Sequence, residues 1–155
     1  MATELERTAL SPAFNESIAR RLIAFGALLF LLGLVSGLLM GLATNPRMAL
    51  SAHMQGLTNG TFLIAIGAVW ERIRLPEPLQ RLTFWALLVG AGLNWLTVQL
   101  AALWGTGRLT PIAGAGFQGK AWQEMIVSTG LLVVTVAMLL AGVLIVAGFV
   151  RRRAG

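Results

Sequence analysis

The chain has no cysteine, no tyrosine and no aspartate, and only one histidine among its 155 residues. Without thiols it can form no disulfide, no thiolate metal site, no iron–sulfur cluster and no thioether-linked haem. With one histidine and no aspartate it also lacks the ligands that zinc or non-haem iron requires. Charge is scarce at 12%, and no carboxylate pair falls inside an apolar segment. Glu71 and Glu124 lie at opposite ends of such segments, and Glu124 is placed to complement a helix dipole. No nucleophile–base pair and no phosphate loop occurs.

What the chain has instead is apolar length. Hydrophobic residues make up 57% and the mean hydropathy is +0.79, which describes a polytopic membrane protein. Four stretches, Ile18 to Leu42, Met48 to Trp70, Leu82 to Trp104 and Met125 to Val150, approach the roughly 20 residues a bilayer helix needs. The expected fold is therefore all-α: one domain over 1–155, a bundle of four transmembrane helices spanning about 18–42, 48–72, 82–104 and 124–150. The polar segment Met1–Glu16, followed by a full-length span, predicts insertion without cleavage of a leader.

Basic residues set the orientation. Arg7, Arg20, Arg21, Arg72, Arg74, Arg81 and Arg151–Arg153 fall on one side, against Arg47, Arg108 and Lys120 on the other. Both termini are expected on the cytoplasmic side of a bacterial inner membrane, and the net charge of +6 suits anionic lipid rather than nucleic acid. Trp70, Trp85, Trp104 and Trp122 mark the interfaces, while Trp95 falls mid-span, either facing lipid or lining a pocket for a flat ligand. Gly26, Gly33, Gly37 and Gly41 form a small-residue face for close helix packing. The glycine-rich loop Gly105–Glu124 is expected as a lid or cavity wall on the outer side.

The second span is chemically divided. Ser51, His53, Gln55, Thr58 and Asn59 occupy its outer half, and the run Phe62 to Trp70 is apolar. Polar groups at that depth need partners in the bundle or beside a cavity. Antiparallel spans allow depth to be counted: Asn59 is eleven residues in from Met48 and Asn94 ten from Trp104, while His53 and Gln99 are each five in. Two polar layers are thus expected, Asn59 with Asn94 and His53 with Gln99. Gly90, Asn94, Thr97 and Ala101 share a stripe of mostly small residues that leaves room on span three. On span two, His53 stands above Gly56 and Gly60 on one stripe, a ledge on which a flat cofactor would fit. The other reading of His53 is structural, a ring bonded to Gln99 or to a backbone carbonyl.

If His53 binds a metal, haem is the group that needs only one histidine. An open sixth position suits catalysis. Met48, Met54, Met125 or Met138, or a second subunit's own histidine, would fill it for electron transfer.

The segment Ala52-His53-Met54-Gln55-Gly56-Leu57-Thr58-Asn59-Gly60-Thr61-Phe62, with Gly92-Leu93-Asn94-Trp95, resembles the hydroxylaminobenzene mutase family of small four-span bacterial membrane proteins. It is similar, more distantly, to styrene oxide isomerase. The latter resemblance implies a homotrimer holding haem b at subunit interfaces, with ferric iron as a Lewis acid and no net redox change. It further implies His53 as axial ligand, Asn59 as a substrate-orienting donor and Asn94 as a second polar group beside the cavity. An aspartate and a tyrosine of the isomerase pattern are replaced here by the neighbourhood of Gly90-Ala91 and by Val98, which favours the mutase branch.

The mutase reaction, as the resemblance implies, turns a small aromatic hydroxylamine into an ortho-aminophenol. Asn59 would hold the departing hydroxyl or the nitrogen, and Asn94 and Thr97 the polar end of the substrate. Phe62 or Trp95 would flank the ring, with Gln99 completing the pocket. The alternatives are an epoxide isomerase of the styrene oxide type, a haem-b electron-transfer membrane protein and a cofactor-free structural protein.

Overall fold

A computed structural model describes residues 2–151, with side chains from residue 13 onward, and it is all-helical. Four long helices, α1 (Ala2–Leu38), α2 (Pro46–Ala68), α3 (Glu77–Trp104) and α5 (Ala121–Val150), are joined by short connections that include the single turn α4 (Pro111–Gly114). Their limits follow local chemistry. Asn45 caps α2, its Oδ1 accepting the Met48 N–H at 3.1 Å, and Pro46 occupies the first turn, where its missing N–H costs nothing. At the other end of the bundle Pro76 and Pro78 bracket the start of α3, which closes on Gly105 in the left-handed region at φ +69°.

Three helices are long and apolar enough to cross a membrane: Ala13–Leu38 within α1, α3 and α5. At 23 residues α2 extends for about 34 Å at 1.5 Å per residue, but its polar N-terminal half keeps it short of that apolarity. It is accordingly the helix with the most to bury. The packing sets α2 against both α1 and α3, with α5 lying along α3. Leu28, Leu31, Leu34, Leu132, Val136, Leu139 and Val143, on α1 and α5, stay exposed as a bilayer would favour.

The small-residue face of α1 meets a second one on α2. Gly33 packs directly on the Gly56 backbone, and a Cβ at Gly26 would lie 2.7 Å from the Gly60 carbonyl oxygen. Gly37 abuts the His53 ring, whereas Gly41 faces open space. Trp104 and Trp122 form an edge-on pair at 5.1 Å, and Trp85 is exposed. Trp70, just beyond the end of α2, is 1% exposed and packs in a core cluster with Leu22, Leu63 and Leu87.

The connection after α2 reaches the end of α5. The Arg74 N–H donates to the Gly148 carbonyl at 3.0 Å, so this loop and the C-terminal end of α5 share one end of the bundle. Arg47, Arg108 and Lys120 border the connections at the other end. There Asn45, fully buried, also donates to the carbonyls of Ala113 and Gly114, at 3.2 and 3.0 Å. Glu124 pins the same loop. Its Oε1 accepts from Gly107 and Gly119 at 3.1 and 3.0 Å, and its Oε2 from Arg108 at 3.1 Å. The carboxylate thus does more than complement a dipole: it gathers the loop around a cavity of about 420 Å³ lined by Arg108, Pro111, Phe117 and Gln118. Replacing Glu124 by leucine would leave three N–H groups unpaired. At about 2 kcal/mol of local destabilisation, trypsin cleavage after Arg108 should accelerate roughly 30-fold.

Candidate functional site

Two polar features flank the exposed ridge of α2 that carries Leu50, Met54 and Thr58. By the 3.6-residue period, His53 and Gln55 point about 160° apart across the buried face that carries Gly56 and Asn59, and Met54 and Thr58 lie in the wider, exposed arc on the other side. His53 lies on the α1 side. Its ring is half-buried, and Nδ1 sits 2.8 Å from the Gly33 carbonyl oxygen. That oxygen can only accept, so Nδ1 carries a proton, which in the neutral ring leaves the lone pair on Nε2. No hydrogen bond among the described residues uses Nε2.

Gln55 lies on the α3 side and gathers two asparagines. Its Oε1 accepts from Asn94 Nδ2 at 2.8 Å and from Asn59 Nδ2 at 3.3 Å. Asn59 is 8% exposed, and Gln55 and Asn94 are half-buried. The mid-depth layer expected from residue counting therefore forms, with Gln55 as its bridge. Gln55 was visible as a polar residue of span two, and its spacing of four from Asn59 was the available sign that one face carries both. Phe62, three residues beyond Asn59, flanks the same face and is 36% exposed.

The other expected site residues go elsewhere. The outer layer does not pair, since His53 turns to α1 while Gln99, on α3, keeps a buried Oε1 without a partner. Gly56 and Gly60 form no open ledge: Gly33, Gly26 and Phe30 of α1 fill the space a cofactor would need there. The stripe on α3 is filled as well. Thr97, 3% exposed, packs against Gly130 of α5, and Gly90 against Met138. Trp95 neither faces lipid outright nor joins the amides, because its Nε1–H donates to Ser36 Oγ on α1 at 3.1 Å.

The donor set fits haem and not a metal held by several side chains. Haem iron needs one neutral imidazole with a free nitrogen, and a hydrogen bond at Nδ1 is how such a ring is held in the required tautomer. Among the described residues no three His, Cys, Asp or Glu side chains come together.

Comparison with known proteins bears on what such a site does. The family described as styrene oxide isomerase matches residues 18–150. Hydroxylaminobenzene mutase HabA of Ectopseudomonas oleovorans is 45% identical over 131 residues, covering 84% of this chain and 97% of the relative. Hydroxylaminobenzene mutase HabB of the same organism is 39% identical over 130 residues, covering 83% and 79%. No solved structure matches.

Proposed function

The chain belongs to the styrene oxide isomerase family and is an isomerase, and from that premise we propose that it rearranges aryl hydroxylamines to ortho-aminophenols. The observation that carries the proposal is the cluster of three amides, Gln55, Asn59 and Asn94, held together inside an otherwise apolar bundle. The similarity to two hydroxylaminobenzene mutases supports this substrate class.

The overall conversion is redox-neutral. The N–O bond breaks with its electron pair going to oxygen, a C–O bond forms at the ortho carbon, the ring loses that carbon's proton and nitrogen regains one. Haem b, ligated by Nε2 of His53, would supply a ferric Lewis acid for the departing oxygen without net electron transfer. The protein's part is to hold the substrate. Each asparagine spends one N–H on Gln55 Oε1, which leaves its carbonyl oxygen and second N–H to orient the hydroxylamine or the developing ortho-aminophenol. Phe62 offers its face to the arene, and the surrounding aliphatic side chains keep water from the electron-poor ring.

The proposal includes α2 as a fourth span, its polar half turned to α3 and α1, and a trimer that covers the exposed Leu50, Met54 and Phe62. A bacterial inner-membrane location with cytoplasmic termini is supported by the unequal division of arginines between the two ends.

Membranes containing the protein should convert phenylhydroxylamine stoichiometrically to 2-aminophenol. The para isomer alone would indicate attack by bulk water on a released cation, and so no mutase. Conversion of styrene oxide to its carbonyl isomer, without action on the hydroxylamine, would replace this reading with epoxide chemistry.

A further inference from the structure

His53 is held by an opposing helix, through two glycines four residues apart. The Gly33 carbonyl takes the Nδ1 proton at 2.8 Å. One turn on, Gly37 presents a bare Cα to the ring: a methyl group there would lie 2.7 Å from Nδ1 and 2.9 Å from Cε1, closer than atoms pack. The ring therefore reaches its hydrogen-bond acceptor because residue 37 has no side chain. Gly33 is itself fixed by direct backbone packing on Gly56, so the acceptor is referenced to the same helix that carries the histidine.

We infer that Gly33 and Gly37 are positioning residues for His53, the first by setting its tautomer through a backbone carbonyl and the second by making room for the ring. The inference rests on the reading of His53 as an iron ligand, where a hydrogen bond at Nδ1 raises the electron density that Nε2 gives the metal. Gly41 supplies an internal comparison: it belongs to the same run of glycines, and a Cβ there meets nothing within 4 Å.

Because His53 is the only histidine, labelling the full chain with ¹⁵N-histidine reports on a single imidazole. In haem-free protein in detergent, at a pH high enough to keep the ring neutral, the proton should be found on Nδ1 with Nε2 unprotonated. A proton on Nε2 would overturn the assignment without any substitution. In ferrous holoprotein, resonance Raman should show the iron–histidine stretch shifted to lower frequency in Gly37→Ala, and unchanged in Gly41→Ala. Equal frequencies in wild type and both variants would likewise overturn it. If the purified wild type carries no haem, the cofactor reading fails, and the position of the imidazole proton still decides the role of the glycines.

Discussion

Replacing His53 by alanine should reduce aryl hydroxylamine turnover by roughly 10³-fold or more, because it removes the only imidazole that can hold a Lewis acid in the bundle. The same variant should purify without the Soret absorption expected of wild type. Loss of folding does not explain such a result. The ring makes one hydrogen bond, to Gly33, and is only half-buried, so truncation should cost about 1 kcal/mol of stability. The Gly33 carbonyl already accepts a helical N–H and stays satisfied. Free imidazole added to the variant should restore part of both colour and activity by occupying the vacated ring position. In wild type a high-spin ferric spectrum agrees with an open coordination site for substrate, whereas a low-spin spectrum would favour an electron carrier. A colourless wild type with full mutase activity would remove the cofactor and leave the amide cluster to account for the rearrangement alone.

Residue counting along antiparallel helices gives depth but not direction, and the sequence was legible to that extent. Asn59 and Asn94 were placed in one layer and do share one, through Gln55. His53 and Gln99 were placed at equal depth by the same count, but the imidazole turns to α1 and the two do not meet. Azimuth depends on which helix lies on each side of α2, and hydropathy carries no information about that. Glycines show a similar ambiguity. Gly26, Gly33 and Gly37 read correctly as a packing face, whereas Gly56 and Gly60 read as a ledge for a cofactor although they are the surface on which that face packs. A small residue leaves room, and only the fold says what takes it. Glu124 reads in sequence only as a helix-dipole partner, and Asn45, standing before Pro46, has nothing local to mark a distant contact. Their bonds to Ala113, Gly114, Gly107 and Gly119 depend on the path of a loop that has no periodicity to read. The similarity to the mutases, by contrast, was visible in eleven residues around His53 and extends over most of the chain.

Gln55→Leu should lower kcat by roughly 10²-fold while leaving the haem spectrum as in wild type. The side chain does not touch His53's hydrogen bond to α1, so the imidazole end of the site has no reason to change. Its Oε1 is the shared acceptor for Asn59 and Asn94, and leucine frees both amides to rotate and to pair with each other or with backbone carbonyls. Losing two aligned hydrogen-bonding groups in a low-dielectric site costs about 2–3 kcal/mol of transition-state stabilisation, which corresponds to that rate. The distinctive signature lies in the double variant. If Gln55 acts by holding Asn94, then adding Asn94→Leu to Gln55→Leu should cost little beyond the larger single loss, a coupling of about 1–2 kcal/mol. Gln55→Glu retains an acceptor oxygen and should keep more activity than the leucine variant if its carboxyl group remains protonated in the bundle. Strictly additive losses in the cycle would mean that the two side chains act independently, and Gln55 would then be a packing residue beside the site rather than the bridge that organises it.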